Sequence, residues 1–315
     1  MRVSVVVRCF NEEAHIGRLL TGVRRQRRQP EQIVVVDSGS TDATLAIAEQ
    51  FDVEIVSIEP KDFSFGRALN IGLAAADCDV AILASAHVYP VYDSWIERLI
   101  APFEDPSVAL AYGQQRAPTT ASYSEQQILK RWFPSRSEQP QRHPFCNNAN
   151  AAIRRSVWLD LPYDERLTGL EDLAWAKRAL DRGHVLAYVA DAPIIHVHDE
   201  SFGEVVNRYR REAIAHKEIY PEQHLKGATA VRLGLFNIAQ DLRAARGERR
   251  LAENAVDILR FRTAQFLGTH RGFTQAGPVP EALRRRFYYP AELTDEAPAL
   301  DDDLADRRID YDEPR

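Results

Sequence analysis

Short, unbroken apolar runs alternate with longer amphipathic stretches through the first third of the chain. Val3-Ser4-Val5-Val6-Val7 is β-branched and strand-sized, and Ile33-Val34-Val35-Val36 and Val80-Ala81-Ile82-Leu83-Ala84 repeat the pattern. Runs that are apolar on both faces belong to parallel strands covered by helices on each side. Val53-Glu54-Ile55-Val56 predicts a further strand. Between these runs, Ile16, Leu19, Leu20 and Val23 fall on one helical face, and helices are predicted over 43–51 and 65–76. This order gives a right-handed parallel α/β sheet. Ligands on such sheets bind beyond the carboxyl ends of the strands. Those ends are 8–12, 37–42 and 85–87, and the three loops are expected to converge.

From Asp105 the pattern changes. A strand is predicted over 108–112. The polar stretch 118–144 reads as a mobile loop carrying a short helix near 128–133. A strand at 150–153, a helix at 154–159, a helix over 173–182 ending at Gly183, and strands at 185–189 and 194–197 follow. After Phe202 the reading is almost all helix: 204–220, 229–246 and 251–267. The charged tail 296–315, with Asp301-Asp302-Asp303, is expected to be disordered. The division expected is a sheet domain over 1–200, a helical extension over 201–275 and a charged tail over 276–315.

Composition narrows the class. The 315 residues hold 40 Lys+Arg against 46 Asp+Glu, a net charge of −6, with 45% hydrophobic and 27% charged residues. That excludes a mostly disordered chain and gives no global basic field for nucleic acid. No apolar run approaches membrane-spanning length. Polar Arg8 and Asn11 come too early for a signal peptide. Cys9, Cys78 and Cys146 show no paired or metal-type spacing and read as reduced thiols of a cytoplasmic protein.

The strand ends carry the candidate chemistry. Phe10 offers a ring that can stack on a base, and Asn11 and Glu12 can read a base edge or ribose; as structure alone, Asn11 would cap the next helix. Asp37 ends a buried strand, where a carboxylate is expensive without a partner. A nucleotide base or ribose could supply one. Ser40 or Thr41 is the expected N-cap of the helix that follows, with Gly39 in a tight turn. Glu171 and Asp172 open the helix at 173, where acids also favour the dipole.

Taken in order, these motifs resemble family 2 glycosyltransferases of the GT-A fold. The residues are Val5 to Glu13, Val34-Val35-Val36-Asp37-Ser38-Gly39-Ser40-Thr41-Asp42, Gly66-Arg67-Ala68-Leu69-Asn70-Ile71-Gly72, Asn147 to Arg155 and Leu170-Glu171-Asp172-Leu173-Ala174-Trp175. Order and spacing agree over about 1–200. The resemblance implies a GT-A (Rossmann-like) mostly parallel sheet flanked by helices, followed by a helical C-terminal region. It implies sugar transfer from a nucleotide-sugar donor to a hydroxyl acceptor, in glycan or cell-envelope polysaccharide synthesis, with inversion. Phe10, Asn11, Glu12, Asp37, Arg67 and Ser85 would bind the nucleotide sugar. Asp172, beside Glu171, would take the acceptor proton.

One departure stands out. The family places Asp-x-Asp after the fourth strand, holding Mg²⁺ or Mn²⁺ against the diphosphate; this chain has Ser85-Ala86-His87. An imidazole suits Mn²⁺ or other transition metals better than Mg²⁺. His196 and His198 share one face of a predicted strand, so His87 with one of them gives a candidate mixed-ligand cation site. Without a metal, the diphosphate would need another source of positive charge. The loss of Asp-x-Asp also fits a non-catalytic nucleotide-binding protein of the same fold, and sequence leaves retaining transfer open. A dinucleotide oxidoreductase is disfavoured, because the first turn has no glycine. Arg131, Arg136 and Arg142 with Trp132 and Phe133 read either as a loop over a sugar-nucleotide site or as a solvated loop. The arginines of 208–211 and 243–250 suit three alternatives: packing on the sheet domain, a homo-oligomer, or peripheral contact with the inner membrane face, where a lipid-linked acceptor would lie.

Overall fold

The computed structural model describes residues 1–198, 200–275 and 307–311. The β-branched runs form β1 (Val3–Cys9), β2 (Gln32–Asp37), β3 (Glu54–Ser57) and β4 (Val80–Ser85), paired in parallel. Side chains alternate between two cores, as a two-residue period requires. Val3, Val5, Val7, Ile33 and Val35 pack on one side, and Val6, Val34 and Val36 on the other. Helices α1 (Ile16–Arg24) and α2 (Thr44–Ala48) close the first side and α3 (Phe65–Ala75) the second. Gly72 of α3 lies so close to the sheet that an added Cβ would stand 2.4 Å from Val6 Cγ1 and 2.8 Å from Val36 Cγ2. Gly72→Ala is therefore expected to cost about 1–3 kcal/mol by overpacking. It should lower the denaturant midpoint at unchanged m; an unchanged midpoint would mean the layer yields freely.

The second half of the sheet mixes directions. After the short β5 (Val88–Pro90) and α4 (Trp95–Ile100) come β6 (Val108–Arg116), α5 (Tyr123–Trp132), β7 (Glu138–Gln141) and β8 (Asn150–Arg154). They are followed by α6 (Arg155–Asp160), α7 (Glu171–Asp181) and β9 (Val185–His196). The nine strands order as β3-β2-β1-β4-β8-β6-β9-β5, with β7 on β9. β8 lies antiparallel between β4 and β6, while β6 and β9 are parallel. The two strands expected at 185–189 and 194–197 are one, because an irregularity between Gly113 and Gln115 absorbs the break in register.

The stretch expected as a mobile loop is instead α5 and β7. Tyr123, Glu125 and Gln127 of α5 are buried. Phe133 is buried in the core and Trp132 packs against it partly buried, within 5.6 and 5.5 Å of the Phe145 ring, so they do not form a loop over the site. What covers α5 comes from far along the chain: α8 (Phe202–Ile219), α9 (Gly227–Gly247) and α10 (Leu251–Thr274). A capping box starts α8, where Ser201 Oγ accepts from Glu204 N–H and Glu204 Oε2 accepts from Ser201 N–H at 2.8 Å. Of the tail expected to be disordered, 307–311 dock beside β5: Ile309 N–H donates to Val91 O at 3.0 Å and Tyr311 Oη to Pro90 O at 2.6 Å. The rest of that expectation, including Asp301 to Asp303, lies outside the described residues.

Candidate active site

The three strand-end loops converge. Asn11, at φ 53°, is locked to the second loop: its Oδ1 accepts from Thr41 N–H at 2.8 Å and its N–H donates to Ser40 Oγ at 2.8 Å. Neither Ser40 nor Thr41 caps α2, and Asn11 does not cap α1. Ala43 is the N-cap position, and Asp42 before it accepts from Thr44 N–H at 3.0 Å. Asp37 is buried and finds partners within its own turn: Gly39 N–H at 2.9 Å and Ser40 N–H at 3.1 Å donate to Oδ2. Gly39 sits at φ +89°, which a β-carbon would resist. The turn thus satisfies the carboxylate that sequence left without a partner. Phe10 is 53% exposed, so its ring is free to stack. Arg67 is exposed on α3, with its N–H closing the Ser64 cap. Ser85 is the Cα partner of Arg8 at the end of β4.

The three histidines meet. The rings of His196 and His198 are 4.1 Å apart, and His87 lies 5.1 Å from His196 and 5.8 Å from His198. One ring nitrogen of each lies within 4.8 Å of the others. Each Nδ1 is already engaged: with Glu12 Oε1 at 2.6 Å, Gln115 Oε1 at 2.7 Å and Glu125 Oε1 at 2.7 Å for His87, His196 and His198. An acceptor at Nδ1 places the proton there and leaves the Nε2 lone pair for a ligand. His196 Nε2 is buried with no hydrogen-bond partner among the described residues. Burial, then the neighbouring His198, His87 and Arg208, push the His196 imidazolium well below its usual pKa and keep it neutral. These donors fit a cation of the imidazole-preferring class. Glu12 thus holds His87, whereas sequence placed it on the nucleotide.

The second centre lies at the start of α7. Leu170, at φ 53°, turns the chain so that Glu171 and Asp172 open the helix from buried positions. Asp172 accepts from Leu173 N–H at 2.7 Å and Asn148 N–H at 3.3 Å. Burial first, and the Glu171 charge second, push its carboxyl up to about 7. Glu171 faces Arg8 Nη1 at 3.5 Å and Asn148 Nδ2 at 3.5 Å. Sequence reasoning missed Arg8, Gln115 and Glu125. A charge inside an apolar strand was signal enough for Arg8. The other two carry none, since their contacts span 81 and 73 residues.

Fold and site together define a glycosyltransferase of the GT-A type. Residues 4–160 match the model of glycosyl transferase family 2. The chain is an enzyme that moves a sugar from a nucleotide-sugar donor. It is 27% identical over 232 residues to the O-antigen chain rhamnosyltransferase RfbN of Salmonella typhimurium, covering 69% of this chain and 73% of that protein. It is 26% identical over 227 residues to the glycosyltransferase AglE of Haloferax volcanii, covering 66% and 71%. Its fold is similar to that of the mannosyltransferase PcManGT from Pyrobaculum calidifontis in complex with GDP-Man and Mn²⁺. The TM-score there is 0.59 at 19% identity, over 85% of this chain and 84% of that one. Among the described residues, no helix is long and apolar enough to cross a membrane.

Proposed function

We propose that this chain transfers a glycosyl group to a hydroxyl of a carbohydrate or lipid-linked acceptor in cell-surface polysaccharide synthesis, with inversion. Residues 1–200 form the catalytic unit in this reading, and 201–275 brace it. The observation that carries it is the Asp172 carboxyl, buried beside the strand ends and poised near neutrality. A hydroxyl is a poor nucleophile, and a carboxylate in its path takes the proton as the new bond forms. The Asn148 and Leu173 backbone amides keep that carboxylate oriented, and the Glu171 charge raises its pKa. Phe10 stacks on the base, Asp37 and its turn receive the base edge, and Asn11 rigidifies that turn. Arg67 and Ser85 complete the donor side.

His87, His196 and His198 would hold a divalent cation, with Glu12, Gln115 and Glu125 fixing their tautomers. Such an ion supplies charge stabilisation to a leaving diphosphate. The relatives' roles in O-antigen assembly and the Mn²⁺ of the mannosyltransferase complex support this reading.

The test is a thermal-shift panel of UDP, GDP, dTDP and CMP and their sugars, with Mn²⁺, with Mg²⁺ and without metal. A ligand at a hundred times its dissociation constant adds about 2.7 kcal/mol to native stability. One nucleotide is expected to raise Tm, more so with Mn²⁺. No shift with any of them, in folded protein, would overturn the donor assignment. His87→Ala is expected to remove the Mn²⁺-dependent part and keep the nucleotide part; an undiminished Mn²⁺ response would remove His87 from the cation site. Proton NMR of the product's anomeric signal decides inversion.

A further inference from the structure

Arg8 is an uncommon residue for its place. It sits near the end of β1, inside an otherwise apolar strand, with its side chain 15% exposed. Its Nε and Nη1 are buried and make no hydrogen bond among the described residues. The Glu171 carboxylate stands at 3.5 Å from Nη1, and the Asp172 carboxyl lies within the field of Arg8. The guanidinium rests over the Phe65 ring, its carbon 5.4 Å from the centroid.

A second guanidinium shares that ring. Arg211, from α8, places its carbon 4.7 Å from the Phe65 centroid. Its side chain runs over the loop that leads into α7, so that a Cβ on Gly169 would stand 3.7 Å from Arg211 Nε. Thr168 Oγ1 donates to the Arg211 carbonyl at 3.2 Å and ties the helix to that loop. Phe65 is itself the first residue of α3, an 11-residue helix capped by Ser64, so the positive end of a helix dipole lies there too. Two like charges on one ring repel unless an anion joins them. Glu171 supplies one negative charge nearby, and Glu212 lies within the field of Arg211. Hydrogen-bonding capacity on Arg8 remains unused. Arginine's planar fork suits phosphate oxygens, which it can meet with two parallel bonds.

We infer that Arg8 and Arg211 form a phosphate clamp that receives the diphosphate of the donor, with Phe65 as its floor. The clamp draws one cation from the sheet and one from the C-terminal helical layer. It supplies positive charge at the end of β4, where Arg8 is the Cα partner of Ser85, the residue that stands in place of a carboxylate. This inference rests on the nucleotide-sugar reading above.

The test uses the full chain and the nucleoside diphosphate selected by the panel, compared with its nucleoside monophosphate by calorimetry. Arg211 is exposed, so Arg211→Ala should fold normally. It is expected to raise Kd for the diphosphate at least about tenfold, the loss of a charge-assisted hydrogen bond, and to change Kd for the monophosphate much less. Arg211→Lys should recover part of the loss. Arg8→Lys keeps the buried charge without the fork, and should weaken the diphosphate selectively as well. Unchanged diphosphate affinity in folded Arg211→Ala and Arg8→Lys would overturn the clamp while leaving the glycosyltransferase reading intact. Equal weakening of both nucleotides would also overturn it, by placing the effect on the nucleoside. Failure of the unaltered chain to bind any nucleoside diphosphate would overturn both.

Discussion

Replacing Asp172 by asparagine is expected to lower kcat by about 10²- to 10⁴-fold, the usual range for a lost general base, with nucleotide affinity kept. The carboxyl is buried, and the Asn148 and Leu173 amides bind its oxygens. Its ionisation sets a second expectation. Glu171 and Arg8 are the charged groups facing it, Cys146 lies within its field, and the amides of Leu173 and Asn148 bind its oxygens. With the pKa at about 7, kcat/KM should rise with pH through neutrality and level off above it. The sign for stability is opposite. A carboxyl whose pKa is higher in the folded state binds its proton more tightly there. Stability therefore falls as pH rises from the ordinary carboxyl range to about 7. Asp172→Asn removes that titration, so the variant's Tm relative to the unaltered chain should climb between pH 5 and pH 8. A variant with full kcat, or a kcat/KM flat across neutrality, would remove Asp172 from proton transfer.

The parts of this site that were legible in sequence share a property: their partners are near in sequence or follow from strand periodicity. Ile33 to Val36 could only be a doubly covered strand, so the position of Asp37 followed at once. His87, His196 and His198 were legible as residue types at strand ends, but not as a trio. Their meeting depends on β5 pairing with β9, Val88 opposite His196, a contact that no local pattern encodes. The second half of the sheet was harder for a similar reason. Residues 118–144 are polar, and polar segments ordinarily lie in solvent. They are ordered here because Ser124 and Tyr123 bond to Asp241 and Asp257, 117 and 134 residues downstream. Tertiary partners overrode local composition, and only the fold reveals them.

That same downstream contact carries the largest expected loss of stability. Asp241 is fully buried on α9 and holds Arg262 of α10, itself 2% exposed, through Nε at 2.7 Å and Nη2 at 3.1 Å. Ser124 Oγ of α5 donates to the same carboxylate at 2.6 Å, and Arg131 Nη2 of α5 stands 3.7 Å away. One carboxylate thus ties three helices and balances two arginines. Asp241→Ala strands Arg262 in a dry interior beside Arg131, which is expected to cost about 3–5 kcal/mol. For a chain of this size that is a fall in Tm of about 5–8 °C. The loss should reach the active site, because the helix that loosens is the one whose Glu125 holds His198 and Arg208. The Mn²⁺-dependent part of the nucleotide shift should shrink with it. The double variant Asp241→Leu with Arg262→Met discriminates between causes. Removing both buried charges takes away the desolvation problem with the pair, so most of the Tm and the Mn²⁺ response should return. A double variant as unstable as the single one would place the cost in helix packing rather than in a stranded charge, and the carboxylate would then matter for its shape alone.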